Sequence, residues 1–228
     1  MEDSLLQVVL ETELDCNELA HKFFYNESLM KQYYESDEDD TSKSNRFVEL
    51  LKELADKILR VIVRTVDGIN HLFGSSKDNI SPREFKNSGV ADIVMSEYNE
   101  DIMRETKVQC KLGRAIINGI AKTGIVKEDE VNAYLNKGAK YLNSKEGKYK
   151  VKASIAPSVY AFTTELKDSA AKDLVDFNNY KGKSISDAGK TAIVKVYTTM
   201  NKYKSKACTW SNMYMKQYSK LTKEENRK

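Results

Sequence analysis

The feature that most constrains this chain lies towards its C-terminus. Ile193, Val196, Met200, Tyr203, Ala207, Trp210, Tyr214, Gln217 and Leu221 follow one another in alternating steps of three and four residues, and eight of these nine are apolar or aromatic. That spacing places side chains on one stripe of an α-helix, and a stripe sustained this long needs another helix to cover it. A helix over 187–221 would be roughly 50 Å long at about 1.5 Å per residue. Its cover is either the chain's own core or a second subunit. In the second case Ile193, Val196, Met200, Tyr203, Ala207, Trp210, Tyr214 and Leu221 form an interaction seam.

The rest of the chain agrees with a mainly all-α fold, a multi-helix bundle. Only two prolines, Pro82 and Pro157, and ten glycines occur in 228 residues, too few to supply the turns of an all-β fold. Residues 46–73 are the most apolar stretch. Phe47, Leu50, Leu51, Leu54, Ile58, Val61, Ile62, Val66, Ile69 and Phe73 cover a broad face, with Lys52, Glu53, Asp56, Lys57, Arg60 and Arg64 opposite. Gly74 stands where a C-cap glycine belongs. Ser81, Pro82 and Glu84 read as a helix start. A longer helix is predicted from about 91 to 118, broken by Gly119 to Gly124, with a shorter one over 128–142 and another over 158–177. Residues 104–109 are polar, so the middle of the 91–118 helix is expected to be exposed or to face a partner. Tyr149, Val151, Ala153 and Ile155 alternate with Lys148, Lys150, Lys152 and Ser154. This is the one strand pattern in the chain, a short strand or hairpin near 148–156, and a single strand needs a partner. The organisation reads as an acidic helical segment over 1–36, a linker over 37–45, a helical core over 46–142 and a basic helical region over 143–228.

Catalytic and metal chemistry find little footing. Gly182-Lys183-Ser184 and Gly189-Lys190-Thr191 lack the earlier glycine of a phosphate loop, because Phe177 and Ser184 stand in its place. Cys16 and His21 could share a helix face, but no second pair completes a tetrahedral metal site. No Gly-x-Ser-x-Gly elbow occurs. The expectation is a non-enzymatic protein without cofactor or metal. The three cysteines, Cys16, Cys110 and Cys208, are too few and too scattered for a disulfide framework and read as buried thiols of a reducing compartment. The acidic start Met1-Glu2-Asp3-Ser4 is unlike a secretory leader, and no run of 18 apolar residues suggests a membrane span.

Charge is segregated along the sequence. The net charge is +3, yet residues 1–40 hold 12 acids and 2 bases, and residues 141–228 hold 18 bases and 8 acids. Opposite ends of that kind attract each other within or between chains, or direct the basic end to a polyanion. Lys148, Lys150, Lys152, Lys181, Lys183, Lys202, Lys204 and Lys206, interleaved with Tyr149, Tyr160, Tyr180, Tyr197, Tyr203, Trp210, Tyr214 and Tyr218, are candidate contacts for nucleic acid. The region contains only one arginine, Arg227, so base-specific reading is not expected. The amphipathic 46–73 segment also suits a membrane surface, although Glu49, Glu53 and Asp56 weaken that reading.

The lysine-, asparagine- and tyrosine-rich composition, the scarcity of proline and the apolar helix FVELLKELADKILRVIVRTVDGINHLFG over residues 47–74 resemble small helical virion-associated proteins of tailed bacteriophages. That resemblance implies a structural role as an internal, connector or scaffold component, located in the virion or the host cytoplasm. Its partners would be other protein subunits, with a homo-oligomer or larger assembly as the product. It transfers no functional residue.

Overall fold

The computed structural model describes residues 40–73, 92–95, 100–142 and 149–225. The readings of 1–36, of the Ser81 helix start, of the Gly74 cap and of Lys148 lie outside them. The described chain runs α1 (Asp40–Leu72), β1 (Asp92–Met95), α2 (Glu100–Thr123), α3 (Glu128–Leu142), β2 (Tyr149–Lys152), a short 3₁₀ turn (Ala153–Ile155), α4 (Ala156–Asn178) and α5 (Asp187–Glu225). The fold is mainly all-α, with one small antiparallel sheet.

Helix α5, 39 residues long, is the axis of the bundle, and α1, α2, α3 and α4 all pack on it. The three-four stripe explains one side. Ile193, Val196, Met200, Tyr203, Ala207, Trp210 and Tyr214 have no exposed surface. A second set, Tyr197, Lys204, Cys208, Ser211 and Met215, is equally hidden on other sides. The stripe is thus covered by the chain's own helices, and its role as a subunit seam does not hold for these seven residues. Only its last members reach the surface, with Gln217 exposed and Leu221 half-buried. Each large apolar side chain buried this way contributes about 1.5–3 kcal/mol.

Local chemistry sets the helix ends. Ser186 caps α5, its Oγ accepting from the Gly189 amide at 3.2 Å. Glu128, Asp129 and Glu130 occupy the first turn of α3, at the positive end of its dipole. Gly124, at φ +70°, ends α2 by donating its amide to the Ile120 carbonyl at 2.8 Å. The helix therefore runs through Gly119, and the break expected across 119–124 reduces to the single residue that needs a left-handed conformation. The other end of that helix also differs from expectation. Residues 92–95 form a strand, and α2 starts only at Glu100. The pairing is Asp92 with Lys152, Ile93 with Val151, Val94 with Lys150 and Met95 with Tyr149. Ile93, Met95 and Val151 point into the core, whereas Asp92, Val94, Lys150 and Lys152 face out. An alternation of two is hard to distinguish from a helical pattern over four residues, and only the partner strand decides it. On α5, the Tyr214 hydroxyl donates to the Lys152 carbonyl at 2.8 Å, tying β2 to the axis.

Helix α1 begins at Asp40, inside the stretch read as a linker. Its apolar face is committed to the core: Phe47, Leu51, Leu54, Ile58, Val61, Ile62, Val66 and Ile69 are buried. The membrane-surface reading of 46–73 loses that face, and none of the described helices is long and apolar enough to cross a membrane. Helix α1 lies parallel to α5. Asn201 donates to the Leu54 carbonyl at 3.5 Å and Ser219 to the Leu72 carbonyl at 3.3 Å, the same offset of 147 residues at both points.

Candidate functional site

The apolar core falls into two clusters. One gathers Ile58 to Ile69, the sheet, the first half of α4 and residues 207–218 of α5. The other gathers Phe47 to Ala55, most of α2, Tyr134, Phe177 and residues 192–200 of α5. Between them runs a polar layer: Thr106, Gln109 and Asp173, together with Asn201 and Lys204, none more than 3% exposed. This layer is the most chemically equipped place among the described residues.

Helical spacing builds it. Tyr197 and Lys204 are two turns apart on α5, Ser169 and Asp173 one turn apart on α4, and Cys110 and Arg114 one turn apart on α2. Asp173 is the hub. Its Oδ2 accepts from Lys204 Nζ at 2.6 Å and from the Tyr197 hydroxyl at 3.4 Å, while its Oδ1 accepts from Arg114 Nε at 2.7 Å. Arg114 also donates through Nη2 to the Ser169 carbonyl at 2.9 Å and to the Ser169 hydroxyl. Lys204 lies 5.5 Å from the centroid of the Tyr197 ring. The Arg114 side chain, 29% exposed, reaches solvent, whereas Lys204 is wholly enclosed.

These contacts fix what the cluster can do. Both carboxylate oxygens of Asp173 accept from the protein's own donors, and the side chain is only 4% exposed, so it faces its own cations rather than solvent. Burial pushes the Cys110 thiol up, outweighing the pull of Lys204 and Arg114, so it stays protonated and poorly nucleophilic. Burial, then the charge of Asp173, pushes the Tyr197 phenol well up. Burial opposes the charge on Arg114, but the hydrogen bond and charge of Asp173 prevail and hold its guanidinium firmly protonated. The arrangement is an ionic clasp joining α2, α4 and α5. Next to it, Glu105 accepts from Gln109 and Lys137 at 2.7 and 2.9 Å. Burial raises its carboxyl, yet these partners win and hold it below the ordinary value. Thr106 Oγ1, Gln109 Oε1 and Asn201 Oδ1 lack a protein partner, positions that suit ordered water.

The candidate lysines fare unequally. Lys150 and Lys152 are exposed on the outer face of the sheet, and Lys181 and Lys183 in the loop before α5. The sheet is held at Tyr214 and the loop precedes Asp187, so the two pairs sit about 40 Å apart along α5. Lys202 and Lys206 are half-buried. Lys204, being enclosed in the clasp, cannot meet a polyanion. Tyr160, Tyr180, Tyr197, Tyr203, Trp210, Tyr214 and Tyr218 all lie in the core and offer no face for base stacking.

Sequence reasoning missed Asp173, Arg114 and Cys110 as a set. A signal existed: Leu166, Ala170, Asp173 and Phe177 step by four, three and four, which puts a carboxylate on a core stripe. Comparison of the chain with known protein families, curated proteins and solved structures finds no match.

Proposed function

We propose that this is a non-enzymatic assembly protein, a building block of a larger particle such as a bacteriophage virion, which joins copies of itself by charge complementarity. The observation that carries the reading is the segregation of charge, with 12 acids against 2 bases in residues 1–40 and 18 bases against 8 acids in residues 141–228. A charge-polarised subunit makes heterologous contacts, which close into rings or propagate as filaments. The clasp supports the same reading. Its carboxylate is enclosed and paired with its own cations, and its thiol is held protonated, so the best-equipped polar cluster works for rigidity. With the α5 stripe consumed inside the chain, assembly acts through outer surfaces. The bacteriophage setting rests on the composition and on the 47–74 helix. Light scattering of the full chain at micromolar concentration tests the proposal. Large species at low salt that dissolve at high salt support it, and a monomer in both conditions overturns it.

A second reading, non-specific nucleic-acid association, draws on exposed Lys150, Lys152, Lys181 and Lys183. It expects retardation of arbitrary DNA or RNA that fades steeply with salt.

A further inference from the structure

Resting on that assembly reading, the structure points to a specific receiving surface. The basic excess of the C-terminal region is not presented as one face, because Lys204 is enclosed and Lys190 is 5% exposed and paired with Asp187. The outer side of α2 is different. From Thr106 to Thr123 the helix carries Lys107, Lys111, Arg114 and Lys122 and no acid. Lys107 is taken by Glu165 at 2.5 Å and Arg114 by the clasp, which leaves Lys111 and Lys122 as the exposed cations of this stretch that form no ion pair among the described residues. Beside them lie apolar side chains that the fold leaves in water: Val108 is 47% and Leu112 39% exposed, with Ala115 one turn further on the same stripe.

An exposed stripe stepping by four and three, with lysines along one edge, fits an acidic amphipathic helix. This chain contains one such sequence. Leu6, Val9, Leu10 and Leu14 recur at helical spacing among Glu2, Asp3, Glu11, Glu13 and Asp15. We infer that the acidic N-terminal segment of one copy docks on the outer face of α2 of the next. Its leucines cover Val108 and Leu112, and its carboxylates meet Lys111 and Lys122. The contact is heterologous, so each copy both gives and receives.

Charge reversal in the full chain tests this. One variant carries Lys111→Glu and Lys122→Glu, the other Glu11→Lys and Asp15→Lys, and circular dichroism verifies that both fold. Sedimentation at low salt is expected to show loss of assembly in each variant alone and its return when the two are mixed, because each tail then meets a face of opposite charge. Assembly that stays salt-sensitive but ignores both reversals overturns the docking site and leaves the assembly reading standing. A wild-type monomer at low salt overturns both. No return on mixing, while a chain carrying all four substitutions assembles again, places the segment on its own chain and overturns docking between copies. Loss of nucleic-acid retardation in the α2 variant with assembly unchanged gives the face to a polyanion instead.

Discussion

The ammonium of Lys204 lies 2.6 Å from Oδ2 of Asp173, and neither side chain is more than 4% exposed. Two enclosed charges of opposite sign attract strongly, but taking them out of water offsets most of that gain. What such a pair does firmly is penalise the loss of one member. Asp173→Ala leaves Lys204 enclosed without its anion and is expected to lower unfolding free energy by about 3–5 kcal/mol. Lys204→Met is expected to be milder, because Asp173 keeps Arg114 and the Tyr197 hydroxyl. The double variant Asp173→Leu, Lys204→Met is expected to recover much of the loss, since the half-exposed Arg114 is free to turn towards water. Urea unfolding of the three variants checks this; a double variant that loses as much as the two single variants added together would mean the clasp does not act as a unit.

Two glycines set how closely helices approach the axis. A Cβ on Gly138 would stand 2.6 Å from Thr199 Cγ2, and one on Gly113 would stand 2.5 Å from Met200 Sδ and 2.8 Å from the Tyr134 hydroxyl. Gly138→Ala is expected to destabilise by about 1–3 kcal/mol, because the β-branched Thr199 has little freedom to move. Gly113→Ala is expected to do less, since methionine is the more adaptable neighbour. Gly119→Ala meets nothing within 4 Å in the same helix as Gly113. It is expected to stabilise by about 0.5–1 kcal/mol through helix propensity. Thermal melts of the three separate steric loss from propensity gain.

Buried phenols make the fold sensitive to alkali. Burial pushes Tyr180 and Tyr203 up to about 12, and it raises Tyr134, Tyr197 and Tyr214 as well. A phenol whose value is raised on folding stabilises the fold fully below the unfolded value near 10, and that contribution drains away as pH rises through the folded value. Stability is therefore expected to fall from about pH 10 upward. Phenolate absorbance should show one group of tyrosines titrating normally and another appearing only together with loss of helical circular dichroism. Smooth titration of all thirteen tyrosines in a folded chain would contradict this burial.

The long helix was legible because its stripe repeats over eight turns, where chance agreement is improbable and periodicity is decisive. Residues 128–142 were legible from an acidic first turn, and Tyr149 to Lys152 from alternation. Asp92–Met95 was not. Its four residues carry too short a pattern, and its identity as a strand comes from pairing with residues nearly sixty positions away. The clasp was hidden for a similar reason. Asp173 and Lys204 each look like a charged residue on an ordinary helix until the packing of α4 on α5 encloses both. The stripe itself showed that something must cover it and could not say whether the cover came from the same chain.

Trp210 resolves that last point directly, as the only tryptophan of the chain and a fully buried member of the stripe. Its fluorescence should be followed as salt is raised from low to high, a change expected to dissolve the assemblies. A stripe covered by the chain's own helices gives blue-shifted emission that does not change as sedimentation reports conversion to monomer. A red shift that follows dissociation would mean that a neighbouring subunit supplies the cover, and would contradict both the enclosed axis and the charge-driven assembly built on it.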